Sequence, residues 1–147
     1  MAARIHTEGR QWIQEVCFTE QQSVPTNFYV GLCTDISILE NAALSDLTEL
    51  TDDPDTGYER FPLLSSTSGW TSAATGSNDR KVTSSTITFT CDGTGLTWTK
   101  AYHWFLATTI DDSGKLVMSG PLNSGSGTAV VEGTPLTFSI VFTFPSD

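Results

Sequence analysis

Short β-type segments separated by turn residues limit what this chain can fold into more than any other feature of the sequence. The clearest segment is Leu136–Phe144, where an apolar residue at every second position alternates with Thr, Ser or Val. This alternation is typical of a strand that has one face in a core and the other in solvent. Asn27–Thr34 and Leu96–Thr109 are more continuously apolar and aromatic, which indicates strands that run through the core.

The residues between the segments indicate how the strands connect. Asp111–Gly114 and Gly133–Pro135 have turn chemistry, at positions where an open α/β fold would need helices. We therefore expect a mainly β fold, an antiparallel β-sandwich that is jelly-roll-like, with one N-terminal α-helix. The other predicted elements are an edge or bulged strand at Tyr58–Leu64, a strand at Lys81–Cys91 with a bulge near Ser84–Ser85, a strand at Lys115–Ser119 and a loop at Ser72–Arg80.

The single predicted helix covers Ala3–Phe18. Its apolar residues Trp12, Ile13 and Val16 fall on one side at helical spacing, which suits either a docking arm or a cap on the sandwich. The chain has 147 residues, the length of one domain. We expect one β-sandwich domain over 1–147, in which 1–24 form the helix or arm and 35–57 an acidic loop insertion.

The charge of the chain limits the partners it can have. Seven basic residues stand against 17 acidic ones, for a formal net charge of -10. Phosphate backbones and anionic lipids repel such a protein, so we expect no binding of nucleic acid or membrane. No apolar run reaches the roughly 18 residues of a membrane span, and the first residues lack the apolar core of a secretory signal, so we expect synthesis and retention in a cytoplasm.

Side chains that often carry catalysis are few. The two histidines are His6, expected on the exposed side of the helix, and His103, expected in the core within an aromatic strand. Asp111 and Asp112 are better explained as a hairpin turn than as the paired acids of a glycosidase. We expect no catalytic residues and no enzymatic activity.

Metal and cofactor sites are not favoured either. The three cysteines, at 17, 33 and 91, have no metal-ligand spacing and are expected to be small buried side chains. The acidic run 52–55 does not match a calcium-binding loop, and Pro54 restricts its geometry. We therefore expect no bound metal and no cofactor.

Several short motifs follow one another along the chain in a definite order. They are P-x-N-[LF]-Y-V-[AG]-L after the helix, G-Y-x-R after the acidic loop, a Thr/Phe strand, W-x-x-[AV]-x-x-[FW]-[FG]-[IL], G-x-L-x-x-x-G-x-L and V-x-x-G-x-x-[LV]-x-[FV]. In this chain they correspond to Pro25–Leu32, Gly57–Arg60, Ile87–Phe89, Trp98–Leu106, Gly114–Leu122 and Val130–Phe138. Over nearly its whole length, the chain resembles head-decoration, tail-fibre-like and minor structural proteins of phages.

The resemblance implies a structural function without catalysis. The first expectation is a capsid decoration (cement) protein, which binds the major capsid protein on the head exterior of the virion and stabilises the shell non-covalently. A shell position also suggests self-association as a dimer or trimer. The expected partner contacts are Trp12, Ile13, Val16, Tyr58, Arg60 and Trp104. A tail-fibre or baseplate component for host attachment and a tail-associated glycan hydrolase remain the alternatives.

Overall fold

The fold is mainly β, with antiparallel sheets and one N-terminal helix, as the sequence predicted. A computed structural model describes residues 3–50, 57–75, 79–92 and 97–144. The helix α1 covers Thr7–Cys17; the strands are β1 Arg4–Ile5, β2 Asn27–Cys33, β3 Phe61–Leu64, β4 Trp70–Thr75, β5 Asp79–Ser84, β6 Ile87–Phe89, β7 His103–Ala107, β8 Leu116–Pro121, β9 Leu136–Phe138 and β10 Val141–Phe144. Every pair of named strands is antiparallel.

The central layer is a five-stranded sheet in the order β1-β8-β7-β2-β3. All five residues of β7 are buried, which explains its continuously apolar sequence, since both of its faces are covered. The short strand β3 lies at one edge, and this agrees with the limit that Pro62 placed on it.

The second layer consists of a three-stranded sheet, β10-β5-β4, and the pair β6-β9. Their apolar residues share one core cluster with those of the central sheet, so the layers stack in a sandwich-like manner. The predicted strand Leu136–Phe144 keeps its alternation but passes from β9 into β10, and the buried Ile140 lies between the two. Lys81–Cys91 divides in the same way after Ser84, whose hydroxyl accepts the N–H of Ile140 at 2.9 Å.

The predicted loop Ser72–Arg80 is wrong over 72–75 and 79–80, and its centre, 76–78, lies outside the described residues. Trp70–Thr75 and Asp79–Ser84 pair as antiparallel strands over six positions. After Trp70, the residues of β4 are small and uncharged and have no apolar alternation, so nothing local marks them as a strand. Backbone pairing with β5 supplies the hydrogen bonds that the sequence pattern does not reveal.

The helix begins later than predicted. Arg4 and Ile5 pair with β8 as a short edge strand, and α1 starts at Thr7. Gly9 is buried because the helix lies directly on the β8 backbone: a Cβ at this position would come 2.1 Å from the carbonyl oxygen of Val117. Glycine lowers the helix propensity of α1 at this position, but it allows the helix to lie close to the sheet.

The acidic segment covers the second face of the central sheet. Ile38 and Leu44 are buried and pack with Cys33 and Phe105, in a cluster separate from the main core. The segment is mostly loop, as expected, with one 3₁₀ turn at Leu44–Asp46. The predicted insertion 35–57 is therefore a covering layer as far as residue 50, and the candidate calcium run 52–55 lies outside the described residues.

Two expectations about polar side chains are wrong. His6 is fully buried rather than exposed, because it precedes α1 at its N-cap and hydrogen bonds through Nε2 to Ser119 Oγ at 2.8 Å. Cys17 is exposed, at the end of α1, whereas Cys33 and Cys91 are buried as expected. In the part of the chain that the structure describes, no helix has the length and hydropathy to cross a membrane.

Candidate functional site

An open apolar groove of about 560 Å³ lies between α1 and the three-stranded sheet. Its volume is in the range of small-molecule binding sites, about 300–1,000 Å³. The groove is lined by Trp12, Ile13, Phe28, Ser65, Ser66, Thr67, Trp70, Val82, Leu106, Val117 and Phe142. Among the described residues, it is a part of the interlayer space that stays open to solvent.

Strand register explains why the apolar side chains of the small sheet meet in the groove. Val82 lies directly opposite Phe142 on β10 and opposite Ser72 on β4. Trp70 is two residues before Ser72, so its side chain points to the same face. The Trp70 and Phe142 rings lie 5.8 Å apart between centroids. One wall of the groove is thus an aromatic and aliphatic sheet face.

The opposite wall comes from the helix. Trp12 and Ile13 project from α1, and Trp12 packs edge-to-face on Phe28 of β2 with ring centroids 5.6 Å apart. Trp12 is 8% exposed, so packing fixes its position. The helix is therefore a cap on the sandwich that also borders the groove. Its role as a docking arm stays a prediction.

The chemistry of the groove favours an uncharged apolar guest. The lining consists of eight apolar side chains and three hydroxyl side chains, the latter grouped in Ser65–Thr67. Burial of apolar surface there releases about 25 cal/mol per Å². Trp70 adds a buried indole N–H that has no hydrogen-bond partner among the described residues. The groove can bind apolar groups by burial, and its lining supplies no group that titrates near neutral pH.

The remaining expected contact residues make their described contacts within this chain. Val16 is half-buried and packs against the main core, without lining the groove. Trp104 is 7% exposed and its ring lies 6.3 Å from that of Phe138, across the interlayer space. Of the six residues, only Trp12 and Ile13 border the groove. Partner contact through any of the six stays a prediction, whereas the structure shows their packing within this chain.

Tyr58 and Arg60 belong to a buried polar network. Arg60 Nε donates to Glu49 Oε1 at 3.0 Å, Nη1 donates to the carbonyl of Asp111 at 2.7 Å, and Nη2 pairs with Asp112. The Tyr58 hydroxyl donates to Glu49 Oε1 at 2.7 Å. Glu49, the main acidic partner of Arg60, belongs to the acidic segment that precedes Arg60 in the sequence. The network joins the acidic segment to the turn after β7.

The electrostatics of this network favour a structural role. Burial, together with the charge of Glu49, raises the pKa of Tyr58, so the phenol stays protonated at neutral pH. The Arg60 guanidinium also lies over the Phe105 ring, 5.1 Å from its centroid. Each charge therefore has an opposite charge or a ring against it, and the arrangement holds three segments of backbone in place.

The side chains considered for catalysis are placed as follows. His103 is 2% exposed, as expected, with Nδ1 at 2.8 Å from the carbonyl of Asp35; its Nε2 has no partner among the described residues. Asp111 lies in the predicted turn, where hydrogen bonds from Ser113 lower the pKa of its carboxyl. The general acid of a glycosidase needs a raised pKa so that it stays protonated. The environment of Asp111 favours the ionised carboxylate instead.

The sequence missed the sheet side of the groove. Trp70, Val82 and Phe142 were not candidates because Trp70 came just before a predicted loop and Phe142 was assigned only to a core face. The available signal was parity: Val82 has the opposite parity to the apolar residues Ile87 and Phe89 of β6, and this marks a change of sheet.

No protein-family model matches this chain, and the search of curated proteins found no match.

Proposed function

We propose that this chain is a phage virion structural protein, a capsid decoration protein that docks on the outer head shell and stabilises it without covalent chemistry. The observation that carries the proposal is the open apolar groove between α1 and the small sheet. Its walls are preorganised by packing, as binding sites require if affinity is not to be lost to ordering. The motif order described above supports the family, and the groove supports docking.

The docking mechanism follows from the lining. An apolar segment of the major capsid protein enters the groove between Ile13 and Phe142 and removes both from water. Each such contact is modest, and repetition over a shell lattice multiplies its effect. The net charge of -10 keeps the free protein soluble and away from packaged DNA until it docks.

The test uses heads of the encoding phage that lack this protein. Purified wild-type protein should co-sediment with the heads and raise their melting temperature. Ile13→Ser, which removes an apolar wall of the groove, should weaken head binding at least about tenfold, as expected for about 1.4 kcal/mol of lost burial. The matched control is Ile36→Ser, since Ile36 is 72% exposed on the acidic segment and lies outside the groove.

The outcomes separate the alternatives. Binding to tails or to host cells without binding to heads would replace the decoration function with host attachment. Release of sugars from host glycan by the pure protein would replace it with the hydrolase. Equal head binding by wild type and Ile13→Ser would show that docking uses another surface.

A further inference from the structure

The outer edge of β4 is the longest free strand edge in the described part of the chain. β4 covers six residues and ends the three-stranded sheet. The other sheet edges are shorter: β1 has two residues, β6 and β9 have three, and β3 and β10 have four. In β3, Pro62 also removes a backbone donor.

The register shows which backbone groups of β4 point outward. Ser85 donates its N–H to the carbonyl of Gly69 at 2.7 Å, so this opposed pair is hydrogen bonded. Bonded and non-bonded pairs alternate along an antiparallel ladder. Counting along β4, Thr71 and Ala73 bond to β5, while Ser72 and Ala74 direct their N–H and C=O groups to the outer side.

Within the described residues, nothing pairs with this outer edge. The side chains from Thr71 to Ala74 are all exposed, and no hydrogen bond that the structure describes reaches the backbone of Ser72 or Ala74 from outside the sheet. β4 has no charged residue, no proline and no bulge, the devices by which proteins keep free edges from pairing. Such an edge is suited to accept another strand.

The charge distribution favours a second copy of this chain as the source of the strand that pairs with β4. Two copies of a chain with net charge -10 repel each other over most of their surface. The three-stranded sheet differs: β4 and β10 have no charged residue, and β5 has Arg80 and Lys81 against one acid, Asp79. A contact between copies at β4 therefore avoids the acidic surface.

We propose that β4 pairs antiparallel with β4 of a second copy of this chain, so that the two small sheets join into one six-stranded sheet across a two-fold axis. Ser72 and Ala74 supply the outward hydrogen bonds. The proposal concerns the free protein and does not depend on docking to a capsid. Because the contact is one strand pair, the dimer dissociates on dilution.

The experiment is sedimentation velocity of the purified protein over a dilution series, with no particles present. Ala73→Glu places a carboxylate opposite Lys81 of its own chain and close to its symmetry mate across the two-fold axis. The matched control is Thr143→Glu, which places the same charge opposite Lys81 from the β10 side. Circular dichroism confirms the fold of both variants.

We expect a wild-type dimer, an increase of the dissociation constant by at least about tenfold in Ala73→Glu, and little change in Thr143→Glu. Ser72→Pro is a second, independent variant that blocks the edge without removing a bond to β5. A wild-type monomer at all concentrations, a dimer unaffected by both β4 variants, or a dimer lost only in Thr143→Glu would each overturn the proposal.

Discussion

Replacement of Arg60 by Ala tests whether the buried network holds the fold together. The Arg60 side chain is 5% exposed and its main partner Glu49 is 21% exposed. The substitution leaves the Glu49 carboxylate with only the Tyr58 hydroxyl as a described donor and leaves the carbonyl of Asp111 without its Nη1 donor. Removal of one partner from a buried ion pair costs about 3–5 kcal/mol.

The structure places the expected loss at the lower end of that range. Glu49 retains some contact with water, and Asp112, the second acid, is 68% exposed. We expect a loss of about 3 kcal/mol, and for a domain of this size each kcal/mol lowers the melting temperature by about 2–4 °C. The measurement is urea denaturation of Arg60→Ala against wild type, supported by calorimetry.

The matched control is Arg10→Ala. Arg10 and Glu40 also form an ion pair, but their side chains are 52% and 58% exposed. An exposed pair contributes little to stability, because water and salt screen its charges. Equal losses in the two variants, or a loss under about 1 kcal/mol in Arg60→Ala, would refute the view that the network is a structural tie.

Three further predictions concern the helix, its N-cap and the thiols. Gly9→Ala should destabilise the fold by about 1–3 kcal/mol, because the added Cβ meets the β8 backbone. Helix propensity alone predicts the opposite, a gain of about 1 kcal/mol. Chemical denaturation, with Gln11→Ala as the control, shows which effect is larger. Burial lowers the pKa of His6 from 6.5, so the unfolded chain takes up this proton first as the pH falls; the free energy of unfolding should therefore fall as the pH drops through 6.5, and less so in His6→Gln. Cys17 should react with a thiol reagent in the native protein, whereas Cys33, buried and with its pKa raised to about 12, should react only after unfolding; rapid native labelling of Cys33 would contradict its placement.

The strands predicted best are those whose own side-chain pattern shows which faces are buried and which are exposed. Asn27–Thr34 was correct to within one residue because most of its residues are apolar, aromatic or β-branched and none is charged, which suits a covered sheet. Leu136–Phe144 kept its alternation through a change of sheet, since parity is a local property of the backbone. Local pattern could not show that the strand changes partners at Ile140.

Features that depend on distant pairing were missed. β4 has a weak strand sequence and exists through its ladder with β5. His6 was assigned to an exposed helix face because the helix was expected to start at Ala3; pairing of Arg4 with Ser119 moves the helix start and turns His6 inward. The groove escaped prediction for the same reason, because its helix wall and its sheet wall come from segments far apart in the chain.

The order β10-β5-β4 has a consequence for biosynthesis. β5 leaves the ribosome long before β10, its neighbour on one side. Until β10 emerges, the hairpin of β4 and β5 is open along both margins, and Val82 has no Phe142 beside it. The small sheet therefore gains its third strand only after synthesis has passed β10, and until then the ribbon of β4 and β5 has a second free margin that neighbouring nascent chains can reach.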